Sequence, residues 1–355
     1  MPTPSTATKT TGGPFGGSFR PNHALVPTRA PWNIRITARL RRLPLLRASA
    51  AWHRCCDRLA SSRLLPHRGA FTYRRLGREH QIPFDARNAQ FEAVHDPLYH
   101  HGYELETALL LSRLNAGPGC FLDVGANWGY FALLVAATPG FAGRVHAFEP
   151  NPGSRADLTA AVAAAELDDI VTCHGLALGD TDGTANFSGG GDFRTGLAGL
   201  SETGPGLTVR VRRLDELGLP PPTCLKLDVE GSEAAVLRGA AQVLATARPY
   251  VVIENFLNRD AHQETLEPLR LLEAAGYRLF VPALAMRWQE SDLLTAYWTH
   301  LPPLLAAQPA PPVRLMPLRA AERFLYGHHL NLFACAAERV AGLSSIPGLQ
   351  VGSAT

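Results

Sequence analysis

Residues 120–149, CFLDVGANWGYFALLVAATPGFAGRVHAFE, leave the chain few folds to choose from. Residues 120–124 are a short apolar run with Asp123 near its tip. Residues 125–129, Gly-Ala-Asn-Trp-Gly, form a tight loop. Residues 130–137 have the small and apolar content of a buried helix, which Pro139 and Gly140 stop. Residues 144–148 are a second apolar strand, closed by Glu149 and Pro150. Strand, glycine loop, helix and strand make one βαβ unit. Such a unit requires a parallel sheet, because its crossover returns the chain to the same edge, and it opens a ligand crevice at the carboxyl ends of the strands. The fold class is therefore α/β and Rossmann-like.

The charges in that crevice narrow the ligand. Gly125 and Gly129 allow a close backbone approach that a Cβ would block. Glu149 follows Gly125 by 149 − 125 = 24 residues and ends the second strand, where a carboxylate suits the two hydroxyls of a ribose. A nucleoside is implied, either in a dinucleotide or in S-adenosylmethionine. Asp123 separates the two. A pyrophosphate beside it would set anion against anion, whereas the ammonium and sulfonium of S-adenosylmethionine would be attracted. The loop also lacks a full G-x-G-x-x-G, which disfavours a nicotinamide oxidoreductase.

The chain has 355 residues, enough for one large α/β domain and an extension. Its net charge of +3 is unevenly spread: residues 1–80 hold one Lys and fourteen Arg against one Asp and one Glu, so +13, which leaves −10 for the rest. An acidic body is a poor general binder of nucleic acid, and no nucleic-acid partner is expected. Six cysteines show no C-x-x-C spacing, so no zinc site is expected, and Cys120, Cys173 and Cys224 on apolar strands fit a reducing cytoplasm. No transmembrane helix and no signal peptide are expected.

Three regions follow. Residues 1–69 are a basic extension, disordered over 1–31 and partly helical over 34–65. The 34–65 segment is read as lying on the acidic body, with weak contact to an anionic membrane surface as the second reading. Residues 70–340 are the catalytic domain, and 341–355 a flexible tail. Within the domain, 71–84 predicts a hairpin, 91–101 a loop with His95, His100 and His101, and 104–114 a helix. Beyond Glu149, a helix over 155–166 leads to a strand over 170–174, whose exit carries Ala177 and Leu178 towards an adenine ring. Residues 180–212, with Gly189-Gly190-Gly191, read as a lid or a plain surface hairpin. Residues 223–229 are a strand whose alternation puts Lys226, Asp228 and Glu230 on one side. Ser232 is placed to cap a helix over 233–244. Further strands are expected at 250–254 and 277–281, an irregular stretch at 285–326, and a last strand at 330–335.

Read together, the motifs resemble one family. Asp123-Val124-Gly125-Ala126-Asn127-Trp128-Gly129, then Ala147-Phe148-Glu149-Pro150, then Lys226-Leu227-Asp228-Val229-Glu230-Gly231-Ser232-Glu233, and Val252-Ile253-Glu254, are similar to the motif series of FkbM-type methyltransferases. The Leu237-Arg238-Gly239-Ala240 helix end and Asn331-Leu332-Phe333 also fit, so that the likeness spans about residues 70–335. The resemblance implies a class I S-adenosylmethionine-dependent methyltransferase with a mostly parallel seven-stranded sheet flanked by helices. Its last strand would be antiparallel, and such enzymes commonly methylate hydroxyl oxygens of natural products or sugars. The helix after Glu149 lacks the family's asparagines, and 180–212 is richer in glycine than the family.

The expected roles follow from charge. Asp123 holds the methionyl end, helped by the backbone of Gly125, Ala126, Asn127 and Gly129. Glu149, with Pro150 beside it, holds the ribose, and Ala177 borders the adenine. Asp228 is the leading base or orients a small-molecule acceptor, with Glu230 and Glu254 next in line, and Lys226 depresses or orients Asp228. A metal-free site is expected. The variant in which Asp228, Glu230 and Glu254 hold Mg²⁺ comes second. His174, His328 and His329 carry less weight, His174 reading as structural. Competing readings are a nucleic-acid methyltransferase, which would need an N-P-P-Y-like turn at 228–230, and a non-catalytic nucleotide-binding module, which would not need the acids at 228 and 254.

Overall fold

The computed structural model describes residues 24–29, 31–40, 49, 51–52, 55, 66–86, 88–95, 102–187, 200–201, 207–284, 311–327 and 329–352. Strand β1 (Leu25–Arg29) and helix α1 (Trp32–Leu40) precede the hairpin β2 (Arg68–Arg75) and β3 (Arg78–Asp85), which turns at Leu76-Gly77. The three strands form an antiparallel sheet in the order β1-β2-β3. Disorder was the expectation for residues 1–31, yet 25–29 are a strand: Leu25 is buried opposite Tyr73, and the open edge of β2 satisfies the backbone.

Helix α2 (Leu105–Leu114) leads to β4 (Cys120–Val124), α3 (Tyr130–Ala137), β5 (Arg144–Phe148), α4 (Pro152–Ala164) and β6 (Val171–His174). Asn151 caps α4, its side chain accepting from the N–H groups of Gly153 and Ser154, with Pro152 in the first turn. A small sheet follows, in the order β7-β10-β8-β9, from β7 (Ala177–Leu178), β8 (Gly183–Phe187), β9 (Leu200–Ser201) and β10 (Leu207–Arg212). The 180–212 stretch, read as a lid or a plain hairpin, is in part a hairpin, β8 against β10, while Gly189-Gly190-Gly191 lie outside the described residues.

The chain then returns to the main sheet with β11 (Cys224–Leu227), α5 (Glu233–Arg238), α6 (Ala241–Thr246), β12 (Tyr250–Asn255), α7 (His262–Ala274), β13 (Tyr277–Leu284), β14 (Val313–Leu318), β15 (Leu330–Ala336) and β16 (Leu349–Val351). The order is β16-β14-β13-β15-β12-β11-β4-β5-β6. Strands β12, β11, β4, β5 and β6 are mutually parallel, and β15 runs antiparallel between β12 and β13. The seven strands from β6 to β13 are the expected class I methyltransferase sheet.

Two strands exceed the seven expected. Residues 313–318, assigned to an irregular stretch, pair with β13, and the 341–355 stretch expected as a flexible tail supplies the end of a 3₁₀ helix (Ala337–Ser345) and β16, which pairs with β14. Burial of Val313, Leu315, Leu343 and Leu349 accounts for both. The single helix expected over 233–244 is broken at Gly239-Ala240. A Cβ on Gly239 would lie 1.9 Å from the carbonyl oxygen of Gly179, so the helix passes the β7 exit only there.

Alternation along the buried strands builds a core on each face. Phe121, Cys224, Val252 and Phe333 face α2, α3 and α4, whereas Leu122, Leu225, Ile253 and Leu332 face α5, α6 and α7. The β1–β3 sheet is bound to the first face: the Tyr73 hydroxyl donates to the Leu133 carbonyl (3.2 Å) and Arg75 Nε to that of Ala136 (2.8 Å), both on α3. No helix among the described residues is long and apolar enough to cross a membrane.

Candidate active site

The chain winds outward from β4 through β5 to β6, then crosses back to β11 and β12. The order therefore reverses between β4 and β11, and a cleft of about 360 Å³ opens at the carboxyl ends of these strands. That size falls in the roughly 300–1,000 Å³ range of small-molecule sites. Gly125, at φ +82°, makes the cleft's geometry. A Cβ there would lie 1.7 Å from the Asp228 carbonyl oxygen, so only glycine lets β4 leave so close to β11. The N–H groups of Gly125 and Ala126 both donate to the Phe148 carbonyl (3.0 Å each), which ties the loop to the end of β5.

Glu149 occupies the tip of β5 and is buried. Its Oε2 accepts from the N–H of Asn127 (2.8 Å) and its Oε1 from that of Asn151 (2.7 Å). Burial raises its pKa to about 7 despite these two N–H groups. Each oxygen keeps a second lone pair, enough for a diol.

Lys226, on β11, is 2% exposed and stands 4.6 Å over the Phe131 ring. Its Nζ donates to Asp228 Oδ2 at 2.8 Å. Burial works against the ammonium, but Asp228, Asp123 and Glu104 outweigh it and hold Lys226 charged. Burial likewise works against the Asp228 carboxylate. The Lys226 ammonium and hydrogen bonds from Glu254 and Lys226 nevertheless keep Asp228 below its ordinary value. Glu254 is pushed well up by burial and by Asp228, so it is the protonated donor of that pair. Glu230, at φ 52°, is raised to about 8 by burial, Asp228 and Glu233. Oxygens of Asp228, Glu230 and Glu254 lie within 4.8 Å of one another, a spacing that a divalent cation also accepts.

Of the residues expected in the site, Gly125, Ala126, Asn127, Glu149, Pro150, Ala177, Lys226, Asp228, Glu230 and Glu254 line the cleft. Asp123 and Gly129 do not. Gly129 sits at the N-terminus of α3. Asp123 is buried beside Lys226 in the sheet register, and neither of its oxygens has a hydrogen-bond partner of good geometry. Burial raises Asp123 to about 6, against the pull of Lys226. Ser232 lines the cleft but makes no capping bond. Glu233 Oε1 instead accepts from the N–H groups of Val229 (3.3 Å) and Gly231 (3.1 Å), closing the turn through its longer side chain.

The structure adds Tyr103, Tyr130, Phe131 and Phe256 as an aromatic lining. It also adds Glu104, whose carboxylate accepts from Asn331 Nδ2 (2.9 Å) and is raised to about 7 by burial against the pull of Lys226. These partners lie more than 100 residues from Glu104, and no local pattern announces them. His174 stacks on Phe148 (4.5 Å) and contacts His146 (3.0 Å) beneath the site; burial and His146 lower it to about 4. His329 Nδ1 accepts from the Leu257 N–H (3.1 Å). His100, His101, His328 and the side chain of His95 lie outside the described residues.

Residues 123–279 match the family model described as the methyltransferase FkbM domain. Over that stretch the chain is similar to the FkbM methyltransferases. The hexuronic acid methyltransferase AglP of Haloferax volcanii is 31% identical over 136 residues, 37% of this chain and 54% of the relative, so the chain spans about half the length of the curated relative it matches. Among solved structures, an FkbM methyltransferase from Methylobacillus flagellatus is 23% identical, with 46% of this chain and 39% of that one covered at a TM-score of 0.35. An O-methyltransferase of Thermotoga maritima is 11% identical, with 75% and 77% covered at 0.37. The strand order, not these scores, carries the fold. The FkbM match begins at Asp123 and ends at Leu279, so the end of β4, strands β5, β6, β11 and β12 and every acid at a strand tip belong to it, while β1–β3, Tyr103 and Glu104 stand outside.

Proposed function

We propose that the chain is an S-adenosylmethionine-dependent methyltransferase acting on a hydroxyl oxygen of a small molecule, a natural product or a saccharide. The observation that carries the reading is Glu149, a buried carboxylate at the tip of β5 with lone pairs to spare beside a left-handed glycine loop. The name of the Haloferax relative, a hexuronic acid methyltransferase, supports a saccharide acceptor.

When bound, S-adenosylmethionine supplies a methyl group already activated on a sulfonium. The chain must then hold both partners in line, exclude water and take up the hydroxyl proton. Glu149 would accept from the ribose hydroxyls, with Pro150 beside it and Ala177 against the adenine. Gly125, Ala126 and Asn127 would contact the methionyl end, with Gly129 shaping the loop. Asp123 contributes its negative charge from below, and a cation above the loop would favour its ionised form. Asp228, fixed by Lys226, would orient the acceptor hydroxyl. Its depressed basicity suits that role better than proton abstraction. Glu230, whose pKa is raised to about 8, would take the proton, and Glu254 would hold Asp228 in place. The reading is metal-free, because the Lys226 ammonium already neutralises Asp228.

Isothermal titration with S-adenosylhomocysteine and, separately, NADH tests the reading. Saturable binding of the first alone, abolished in Glu149→Ala, is the expected result. Binding of NADH, or of neither, would sink it.

A further inference from the structure

The FkbM match starts at residue 123, yet one contact to the cleft loop comes from 35 residues earlier (123 − 88 = 35). Asn88 follows β3 and is 2% exposed. Its Nδ2 donates to Asn127 Oδ1 (3.2 Å) and to Asp157 Oδ2 (3.1 Å), and its Oδ1 accepts from the Gln90 N–H (3.1 Å). Both partners of Nδ2 are acceptors, and the Asp157 carboxylate can only accept, so the amide orientation is forced.

Asn127 is held left-handed at φ 49° in a loop that lines the cleft, a conformation that asparagine adopts more readily than most residues and that its contacts fix here. Glu149 grips its backbone N–H and Asn88 its side chain. The next residue, Trp128, is 1% exposed, stacked on Phe91 (4.5 Å) and set edge-on to Phe71 (5.5 Å). Phe71 and Phe91 flank Asn88 in sequence and, like it, precede the matched domain.

We propose that Asn88 is a positioning residue for the cofactor loop. It fixes Asn127 so that the Asn127 N–H stays on Glu149 and the free lone pairs of Glu149 remain turned to the ribose. The proposal rests on the S-adenosylmethionine reading of the cleft. It gives the β1–β3 sheet a role: that element and the turn after it are part of the binding site, not an appendage. It also explains why an amide stands at 88. An aspartate of the same shape would set its carboxylate against that of Asp157, which cannot donate, and would break the pair with Asn127 Oδ1 as it stands.

Two measurements on the full chain decide it. Titration with S-adenosylhomocysteine should show affinity falling about fivefold or more in Asn88→Ala, in line with the loss of a positioning hydrogen bond. Asn88→Asp, which keeps the shape, should lose at least as much. Asn127→Gly should also bind less tightly, and adding Asn88→Ala to it should cost nothing further, since the partner is gone. Hydrogen exchange of the unliganded protein should show faster amide exchange over residues 125–129 in Asn88→Ala. Wild-type affinity in either Asn88 variant, losses that multiply in the double variant, or unchanged exchange would overturn the proposal. If the wild type binds no S-adenosylhomocysteine, the cofactor reading fails, and the exchange measurement alone decides whether Asn88 holds the loop.

Discussion

Replacing Glu149 by Gln should make the protein a worse binder and remove a loss of stability that the wild type suffers as pH rises. The carboxyl is buried, and its pKa rises from an ordinary 4.5 to about 7 in the fold. Below pH 4.5 it is protonated in both the folded and unfolded states and makes no difference between them. Between pH 4.5 and 7 the unfolded chain gives up the proton while the folded chain keeps it, so stability falls as pH rises. By pH 8 the folded carboxyl is ionised too, and the accumulated loss from 2.5 units at ~1.4 kcal/mol each is roughly 3 kcal/mol. Gln is uncharged at every pH and escapes this loss, although its Nε2 cannot accept from one of the two backbone N–H groups, a cost that does not change with pH. The unfolding free energy of the variant relative to wild type should therefore move by roughly 2.5 kcal/mol in its favour from pH 5 to pH 8, while acids common to both proteins cancel. Urea unfolding at the two pH values measures it. A difference that stays constant would mean that the N–H groups of Asn127 and Asn151 outweigh burial and keep Glu149 ionised throughout, refuting the reasoning.

Two further outcomes follow from the acidic floor of the cleft. Turnover, followed as release of S-adenosylhomocysteine with a cognate acceptor, should climb as pH passes about 8, where Glu230 loses its proton and becomes able to accept one; Glu230→Gln should flatten that rise, and an unchanged profile in the variant would remove Glu230 as base. EDTA should leave turnover unaltered, because the Lys226 ammonium at 2.8 Å already occupies Asp228, and a loss restored by added Mg²⁺ would reassign Asp228, Glu230 and Glu254 as metal ligands.

The parts of this molecule readable from sequence are those whose cause is local. The β4–α3–β5 unit announces itself because its apolar runs, glycines and acids lie within 30 residues, and each acid stands where its strand must end. The mostly parallel seven-stranded sheet and the antiparallel β15 came with the motif resemblance. What was missed depends on partners distant in the chain. Strand β14 is hidden because Pro311, Pro312 and Pro317 surround or interrupt its short apolar run, and β16 exists only because β14 offers it an edge. The break at Gly239 answers a carbonyl sixty residues earlier, since 239 − 179 = 60, in a stretch that otherwise reads as continuous helix. Asp123 was expected to meet the ligand directly from its strand-end position, yet it is buried opposite Lys226 in the sheet and does not line the cleft. Asn88 and Glu104 carry no motif at all, and their importance is legible only in what they touch.

The outermost strands of the large sheet have a bearing on solubility. At one border stands β6 with four residues, at the other β16 with three. Short borders leave few unpaired peptide groups on which a neighbouring molecule could build. Were the chain clipped before residue 349, the six residues of β14 would become the new border, bearing the apolar Val313, Leu315 and Leu318 along an open ladder on which only Pro317 interrupts pairing. Removal of residues 349–351 is therefore expected to raise self-association, which light scattering of the truncated protein against the full chain would register.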